Sequence, residues 1–349
     1  MRALTVEPLK ADSARISDVP DPVPAAGELL VQGLALGVCG TDREIAAGEY
    51  GWAPAGRDRL VLGHESLGRV LTAPPESGFS AGDLVVGVVR RPDPAPCGAC
   101  AHGEFDMCRN GEYAERGIKQ LDGFGSELWT VEADYAVALD ARLAQTGILL
   151  EPASVVAKAW DQIEKVGRRS WFEPERVLVS GAGPIGLLAA LLGVQRGLEV
   201  HVLDVATDGP KPAVVDALGA QYHTKQMGEV AAEVRPDIVI EATGVPQVVF
   251  EAMTGNAAYG VVCLTGVSPV GRKIAVDVGS ANREMVLEND VVVGSVNANL
   301  GHYAAAATAL AKADTDWLAS LITRRLPLDR FAETLEPGPD DIKVVLDLA

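Results

Sequence analysis

A glycine-rich turn that directly follows an apolar strand constrains this chain more than any other feature. Residues 177–187 read Val-Leu-Val-Ser-Gly-Ala-Gly-Pro-Ile-Gly-Leu, so Gly181, Gly183 and Gly186 have the spacing G-x-G-x-x-G, and a stretch rich in Ala and Leu follows them. The first glycine permits a tight turn, the second lets the backbone approach a pyrophosphate, and the third lets the helix pack against the strand. The sequence therefore predicts a strand–turn–helix unit that binds a dinucleotide.

An acid at the end of the next apolar strand narrows the choice of dinucleotide. Asp204 closes the apolar run 199–203. A carboxylate at this place accepts hydrogen bonds from the ribose hydroxyls of NAD and repels the 2′-phosphate of NADP. No Arg follows in residues 205–209, and the nearest cation in the sequence is Lys211. We therefore expect NAD to be preferred over NADP, the alternative being that Asp204 merely ends a strand.

The character of the sequence changes near the middle of the chain. Up to about residue 150, short apolar runs are separated by turns rich in Gly and Pro, which is typical of β-rich structure. From about residue 175, apolar strands alternate with stretches of helix length, which predicts βαβ units and a doubly wound parallel sheet. The length of 349 residues fits two domains. The predicted fold class is therefore α/β, with a β-rich domain before a dinucleotide-binding domain.

Candidate metal ligands lie in three separate segments of the β-rich part. Cys39 follows an apolar stretch, His64 and Glu65 follow a glycine, and Glu151 follows the apolar run 148–150. A thiolate, an imidazole and carboxylates form a mixed donor set that suits zinc and leaves one position open. The spacing alone does not show that these residues meet, and a lone Cys or His is ordinarily a buried structural residue.

A second candidate metal site consists of Cys97, Cys100 and Cys108, in a loop rich in Pro and Gly. Three thiols this close in sequence are difficult to explain by core packing, and a total of five cysteines does not suit a disulfide framework. A structural zinc site requires four ligands, so the competing interpretation is a partly degraded metal lobe. The candidates for the fourth ligand are Asp93 and, as alternatives, Asp106 and His102.

The charge balance excludes some classes of partner. The net charge is −18, with 30 basic residues, so nucleic acid and anionic membranes would be repelled. The acids are spread along the chain, which favours an ordinary acidic surface over adaptation to high salt. No apolar run reaches the roughly 20 residues of a membrane-spanning helix, and the N-terminus has no signal-peptide pattern. We therefore expect a cytoplasmic protein without a nucleic-acid or membrane partner.

Taken together, these segments resemble the zinc-dependent medium-chain dehydrogenase/reductase superfamily over essentially the whole chain. The resemblance lies in Cys39-Gly40-Thr41-Asp42, in Gly63-His64-Glu65, in the 97–108 cysteines and in the 181–186 glycines. Further segments indicate the glucose 1-dehydrogenase branch of the superfamily. These are Val89-Arg90-Arg91-Pro92, Glu115-Arg116-Gly117-Ile118, Glu151-Pro152, Glu241-Ala242-Thr243-Gly244, Arg283-Glu284-Met285-Val286 and Gly294-Ser295-Val296-Asn297.

The resemblance implies a GroES-like catalytic domain and a Rossmann cofactor domain, with the active site in the cleft between them. The corresponding boundaries are 1–153 for the catalytic domain, 154–299 for the Rossmann domain, and 300–349 for a return segment that completes the catalytic domain. The implied partner is a small polyhydroxylated substrate. We also expect a homodimer or a homotetramer.

The resemblance also implies roles for residues around a catalytic zinc ion. Cys39 and His64 resemble zinc ligands. Glu65 stands where the family has a carboxylate that ligates the zinc or supports its ligands. Glu151 resembles a further residue that contacts the zinc, its water or the substrate. Thr41 resembles the hydroxyl that relays a proton from the reacting oxygen.

Substrate and cofactor contacts are implied in the same way. Glu115 and Asn297 match positions that hold sugar hydroxyls in the branch, and Lys343 resembles a cation near the cofactor or the interdomain cleft. The predicted cofactor-binding residues are Gly181, Gly183, Pro184, Ile185, Gly186, Asp204, Thr243, Gly244, Thr265, Val267, Asn297 and Lys343.

Three positions depart from the pattern of the branch. Pro94 replaces the first cysteine of the metal lobe, which puts a structural zinc in doubt. Val155 stands where several glucose enzymes have Asp, which weakens the case for glucose itself. Asp204 replaces the basic residues with which many members of the branch use NADP.

The predicted activity is hydride transfer between a nicotinamide cofactor and a hydroxyl of a sugar, polyol or cyclitol, assisted by zinc. Two alternatives remain at this stage. One is an epimerase that retains its cofactor and oxidises the substrate only transiently. The other is a non-catalytic nucleotide-binding protein, although such a protein has no use for an open zinc site.

Overall fold

The computed structural model describes residues 1–349 and divides the chain into two compact units. The first unit contains Met1–Ser154 and Ala298–Ala349, and the second contains Val155–Asn297. The chain therefore leaves the first unit once and returns to it with its last segment. Among the helices of both units, none has the length and apolar character that crossing a membrane requires.

Most of the strands belong to the first unit. They are β1 (Arg2–Val6), β2 (Arg15–Asp18), β3 (Glu28–Val38), β4 (Leu60–Val61), β5 (Glu65–Thr72), β6 (Leu84–Gly87), β7 (Arg90–Arg91), β8 (Ala114–Arg116), β9 (Gln120–Leu121), β10 (Leu128–Glu132) and β11 (Ala136–Ala138). The second unit contributes β12 (Arg176–Ser180), β13 (Glu199–Leu203), β14 (Gln221–His223), β15 (Ile238–Glu241), β16 (Val261–Leu264) and β17 (Val291–Gly294). The return segment adds β18 (Ile322–Pro327) and β19 (Lys343–Asp347).

The helices connect and cover these strands. They are α1 (Gly40–Ala46), α2 (Gly98–Ala101), α3 (Leu150–Gly167), α4 (Pro184–Gln195), α5 (Pro210–Ala217), α6 (Met227–Val234), α7 (Pro246–Met253), α8 (Val278–Glu288), α9 (Leu300–Lys312), α10 (Thr315–Ser320) and α11 (Phe331–Leu335).

The first unit is built on a seven-stranded sheet with β3 at its centre. The order is β11-β6-β5-β3-β19-β18, and β10 also pairs with β3. Side chains of β3 alternate between buried and partly exposed along its first half, as a strand with one face on a core requires. The β-rich prediction for this part therefore agrees with the structure. The return segment matters for the site described below, because β19 pairs with β3 on the side opposite β5.

The second unit is a six-stranded parallel sheet with the order β14-β13-β12-β15-β16-β17. The strand order reverses at β12, which is the arrangement of a doubly wound fold with its ligand edge at the carboxyl ends of the strands. All four residues of β15 are buried, as expected for a central strand covered on both faces. The alternation of strands and helices predicted after residue 175 is therefore present.

Candidate active site

Two neighbouring strands bring the predicted zinc ligands of the first unit together. Cys39 is the N-cap residue of α1, directly after β3, and His64 and Glu65 stand where β5 begins. Because Gly37 of β3 pairs with Glu65 of β5, these residues meet at one end of the sheet. The Sγ atom of Cys39 lies 3.1 Å from Nε2 of His64, and one ligand atom from each of the three residues lies within 4.8 Å of the other two.

Asp42 supports both Cys39 and His64, and the sequence analysis assigned it no role. Its Oδ2 atom accepts a 2.9 Å hydrogen bond from the backbone N–H of Cys39, and its Oδ1 atom lies 3.3 Å from Nδ1 of His64. A carboxylate beside the second ring nitrogen fixes the orientation and tautomer of a metal-binding imidazole. The available signal was an acid in the first turn after a helix N-cap residue.

Glu65 is held by a buried ammonium group. The Nζ atom of Lys343, in β19, lies 2.7 Å from Oε1 and 2.6 Å from Oε2 of Glu65. A β-carbon on Gly37 would lie 2.0 Å from Oε2 of Glu65, so the carboxylate needs a glycine at this point of β3. The sequence analysis placed Lys343 among the cofactor-binding residues. The structure pairs its charge with Glu65 inside the first unit, and a contact between Lys343 and the cofactor stays a prediction.

The electrostatic environment around these residues is rich in carboxylates. Burial raises the pKa of Glu151, in the first turn of α3, to about 7, and the negative charge of Glu65 acts in the same direction. Burial alone would lower the pKa of His64, but Cys39 and Asp42 raise it well above its ordinary value. Glu151 is not part of the group of three mutually close ligands, although it interacts electrostatically with two of them. Such an excess of anionic donors favours a bound cation.

The three cysteines of the second candidate site also converge. The Sγ atoms of Cys97, Cys100 and Cys108 all lie within 4.8 Å of one another. Backbone N–H groups, that of Arg109 first among them, lower the pKa of the Cys97 thiol to about 6, whereas burial raises the pKa of Cys100. Converging thiols with backbone donors that stabilise a thiolate form a donor set that suits a soft or borderline metal ion.

None of the three candidates for a fourth ligand joins these sulfur atoms. The carboxylate of Asp93 accepts hydrogen bonds from a backbone N–H of its own turn at 2.7 Å and from the amide of Asn110 at 2.8 Å. Asp106 accepts a 2.9 Å hydrogen bond from the side chain of Asn299, and His102 lies 2.7 Å from a carbonyl oxygen of its own helix. The structure therefore brings the three sulfur atoms together without Asp93, whose role as the fourth ligand stays a prediction.

The glycine fingerprint lies at the carboxyl end of β12 in the second unit. Gly181 has a φ of +98°, and a β-carbon on Gly186 would lie 1.7 Å from the carbonyl oxygen of Gly181. Both positions therefore require glycine. Gly183 is the N-cap residue of α4, whose first turn contains Pro184 and Ile185. The N-terminus of a helix that follows such a turn favours a bound anion, so the prediction of a pyrophosphate site here stands on this placement.

Asp204 follows β13 and is held by the fingerprint and by a lysine. Its carboxylate accepts hydrogen bonds from the backbone of Ala182 at 2.7 Å and of Ala206 at 3.1 Å. The Nζ atom of Lys211 lies 3.1 Å from each carboxylate oxygen. Burial acts to raise the pKa of Asp204, but these donors lower it below its ordinary value. Lys211 therefore folds back onto Asp204, a contact that its position in the sequence left open.

Four more predicted cofactor residues follow strands β15 and β16. Thr243 and Gly244 come after β15, and Thr265 and Val267 come after β16. Because β12, β15 and β16 are adjacent and parallel, these residues lie at the same edge of the sheet as the fingerprint. A β-carbon on Gly244 would lie 2.4 Å from the carbonyl oxygen of Val267, so the two loops are in close contact.

The residues predicted to contact the substrate occupy separate elements. Glu115 is buried in β8, where its Oε1 atom accepts hydrogen bonds of 3.0 and 2.9 Å from Nε and Nη2 of Arg90. Thr41 is half-buried in α1. Asn297, the last residue of the second unit, has a φ of +63°, a conformation that Asn adopts more readily than most residues. The sequence analysis did not predict Arg90 as the partner of Glu115.

Comparison with known proteins decides the family. Residues 25–141 match the model described as the alcohol dehydrogenase GroES-like domain, and residues 144–348 match the model described as the glucose dehydrogenase C-terminus. The glucose 1-dehydrogenase of Methanocella arvoryzae is 38% identical over 359 residues, covering 100% of this chain and 99% of the relative. That of Thermoproteus tenax is 40% identical, again covering 100% and 99%. The chain belongs to the glucose 1-dehydrogenase family.

Solved structures support the same assignment to the glucose 1-dehydrogenase family. The glucose dehydrogenase of Haloferax mediterranei, in complex with NADP, Zn and gluconolactone, is 33% identical with a TM-score of 0.91, covering 100% of this chain and 99% of that one. The galactitol-1-phosphate dehydrogenase of Escherichia coli, at 23% identity and a TM-score of 0.79, shares the fold. The predicted fold class and the resemblance to zinc-dependent medium-chain dehydrogenases are therefore confirmed.

Proposed function

We propose that this chain is a zinc-dependent dehydrogenase that oxidises a hydroxyl of an aldose or related polyol and reduces a nicotinamide dinucleotide. The observation that carries the proposal is the convergence of Cys39, His64 and Glu65 in a chain whose second unit has a complete glycine fingerprint. The relatives support it, because they are named glucose 1-dehydrogenases, and the Haloferax structure contains NADP, Zn and gluconolactone.

The residues of the first unit fit a catalytic zinc ion. Cys39 and His64 supply the sulfur and nitrogen donors, and Glu65 or Glu151 completes the protein ligands. The orientation of the imidazole is fixed in advance by Asp42. Zinc, when bound, polarises the substrate hydroxyl as a Lewis acid and lowers its pKa.

The remaining residues position the substrate and move its proton. We assign Thr41, in the first turn of α1, as the hydroxyl that accepts the substrate proton and passes it on towards solvent. Glu115, held by Arg90, and Asn297 are assigned to sugar hydroxyls, because their positions resemble the sugar-binding positions of the branch and a site that hydrogen-bonds a hydroxyl discriminates against a substrate that lacks it. The nicotinamide, when bound, accepts hydride from the substrate carbon.

A substrate panel tests this proposal. Sugars and cyclitols are each supplied with NAD and with NADP, and the absorbance of the reduced nicotinamide is followed. We expect net reduction with at least one sugar. An epimerase that retains its cofactor would change the sugar without net reduction, and a non-catalytic binding protein would change neither. Either result would contradict the proposal.

We predict that glucose is not the best substrate in this panel. Val155 follows Glu151 by one helical turn on α3, so the two side chains share a face, and an apolar side chain cannot accept a sugar hydroxyl. Val155→Asp should raise kcat/KM for glucose roughly tenfold, and Val155→Thr should raise it less. The prediction fails if the unmodified enzyme has its highest kcat/KM with glucose, or if Val155→Asp does not improve glucose oxidation.

We also predict that the 97–108 loop binds a second zinc ion, held less securely than by four cysteines. The support is the convergence of three thiols without Asp93. Metal analysis of the purified protein should find more than a single zinc ion per chain, and Cys100→Ala should lower that content. Cys263→Ala is the matched control, because Cys263 is buried in β16, away from the other cysteines. If the protein contains at most a single zinc ion per chain, and Cys100→Ala leaves that content unchanged, the loop does not bind zinc.

We propose that a second copy of the chain covers the edge of the parallel sheet at β17. The three valines of this strand are only partly buried, and Val278, Val286 and Leu287 of α8 are strongly exposed. An edge strand beside exposed apolar side chains suits self-pairing about a twofold axis. Light scattering should give a dimer or tetramer, and Val286→Glu with Leu287→Glu should shift the mass towards the monomer. A monomeric unmodified protein would contradict this proposal.

A further inference from the structure

Glu241 is a fully buried acid at the carboxyl end of β15, with 0% of its surface exposed. The partners of its carboxylate are neutral donors, and none is a cation. A buried carboxylate without a countercharge is costly unless several N–H or O–H groups donate to it. The segments that contain these donors are therefore the segments that the carboxylate holds in place.

The carboxylate of Glu241 holds the loop that follows its own strand. Its Oε1 atom accepts a 2.7 Å hydrogen bond from the backbone N–H of Thr243 and another from the hydroxyl of the same residue. The N–H of Gly244 lies 3.0 Å from Oε1 and 3.2 Å from Oε2. Gly244 has a φ of +64°, so this pair of oxygens stabilises a backbone conformation that favours glycine.

The same residue reaches the strands on both sides. The hydroxyl of Ser180, at the end of β12, lies 3.5 Å from Oε1 of Glu241, and the hydroxyl of Thr265 donates a 2.7 Å hydrogen bond to its backbone carbonyl. A β-carbon on Gly266 would lie 2.6 Å from Oε2 of Glu241 and 2.2 Å from the nitrogen of Gly244. Glu241 thus connects the ends of β12, β15 and β16, which are neighbours in the sheet, at the edge where a doubly wound sheet binds its ligand.

We propose that Glu241 is a positioning residue for the dinucleotide, acting through the loops that contain Thr243, Gly244, Thr265 and Val267. The inference rests on the proposed function, which requires a nicotinamide dinucleotide, and on the rule that a doubly wound sheet binds its ligand at the carboxyl ends of its strands. The four donors, two backbone N–H groups and two hydroxyls, all reach Oε1, and only the N–H of Gly244 also reaches Oε2. A glutamine could keep its amide oxygen at the Oε1 place, but its NH₂ group would then face the N–H of Gly244, which lies 3.2 Å from Oε2, and a neutral amide oxygen accepts more weakly than a carboxylate.

The experiment compares Glu241→Gln with Val239→Ala, a cavity-forming change in the same strand at a side chain that is also fully buried. NADH is titrated into each zinc-loaded protein without sugar, and its fluorescence gives Kd. The sugar KM at saturating cofactor, the zinc content and Tm are measured in parallel. Both variants should lower Tm. Glu241→Gln alone should raise the NADH Kd by about tenfold or more, with the sugar KM and the zinc content unchanged.

Three outcomes would overturn the proposal. In the first, Glu241→Gln binds NADH with the same Kd as the unmodified protein. In the second, its Kd rises no more than the Kd of Val239→Ala does. In the third, its sugar KM and zinc content change along with the Kd. If Glu241→Gln does not fold, Glu241→Asp replaces it. The shorter acid keeps its charge but cannot reach both the Thr243 and Gly244 donors, so the NADH Kd should again rise, and an unchanged value contradicts the proposal.

The binding measurement separates this inference from the proposed function. If the unmodified protein binds NADH but oxidises no sugar, the proposed activity fails while the effect of Glu241 on Kd still decides the inference. If the unmodified protein binds neither NADH nor NADPH, both are wrong.

Discussion

His64→Ala is expected to abolish detectable turnover, a loss of roughly a thousandfold or more in kcat/KM, and to lower the zinc content of the protein. The imidazole supplies the nitrogen donor 3.1 Å from the Cys39 sulfur, and Asp42 holds its second ring nitrogen. Removing it takes away a ligand and leaves the buried Asp42 carboxylate without its neighbour. Metal analysis and steady-state kinetics on the same preparation measure both effects.

His102→Ala is the matched control for this variant. His102 lies in the same unit, outside the group of three ligands, and its ring faces a carbonyl oxygen of its own helix. We expect its kcat/KM to stay within about twofold of the unmodified enzyme. Full activity in a demonstrably zinc-free preparation would refute the assignment of Cys39 and His64 as catalytic ligands.

The second large effect concerns the cofactor: NAD is expected to be preferred over NADP, by about tenfold to a hundredfold in kcat/KM. We expect the carboxylate of Asp204 to accept hydrogen bonds from the ribose hydroxyls, which NAD presents intact. A 2′-phosphate within about 4 Å of it would be repelled by roughly 1 kcal/mol in water and by more in a partly desolvated pocket. Lys211, which lies 3.1 Å from both carboxylate oxygens, offsets part of this repulsion.

Two variants act in opposite directions on this preference. Asp204→Ser combined with Val205→Arg should relax or invert it, because Val205 is 93% exposed and an arginine there can reach a phosphate. Lys211→Ala should sharpen it, since the unneutralised Asp204 then repels the phosphate more strongly. The ratio of the two kcat/KM values is the readout, because Asp204 also binds the Ala182 backbone and its loss weakens both cofactors. Equal use of NADP by the unmodified enzyme, or an unchanged ratio in Asp204→Ser, would show the explanation to be wrong.

The features that could be predicted from the sequence are those fixed by local backbone geometry. The glycine fingerprint is one example. The close approach of Gly186 to the Gly181 carbonyl excludes any side chain, so the need for glycine can be read from the sequence. The thiols of 97–108 are another, since short spacing in one loop brings them together. In both cases the chain has little freedom to place these residues elsewhere.

The features that were missed depend on pairing between distant segments. Lys343 contacts Glu65 only because β19 of the return segment pairs with β3. The two residues are far apart in the sequence, and no motif indicates that they meet. Arg90 and Glu115 pair across β7 and β8 in a similar way. The hydrogen bonds of Asp93 could not be predicted either, because the carboxylate accepts from a backbone N–H of its own turn and from Asn110, which follows in a later part of the loop.

Glu241 shows a third limit of sequence reasoning. It lies in a segment that indicated the family, yet an acid at the end of a strand has no distinctive pattern. Its role became apparent only with the donors of three neighbouring strand ends around it.

Isotope transfer from the substrate tests the central claim most directly. The best sugar of the panel is prepared with deuterium on the carbon to be oxidised, carbon 1 for an aldose, and incubated with the zinc-loaded enzyme and NAD. Mass spectrometry then locates the label. The account predicts deuterium in the reduced nicotinamide, in step with the oxidised sugar, and none in the His64→Ala reaction. Label that stays on the sugar while the sugar is converted would contradict it.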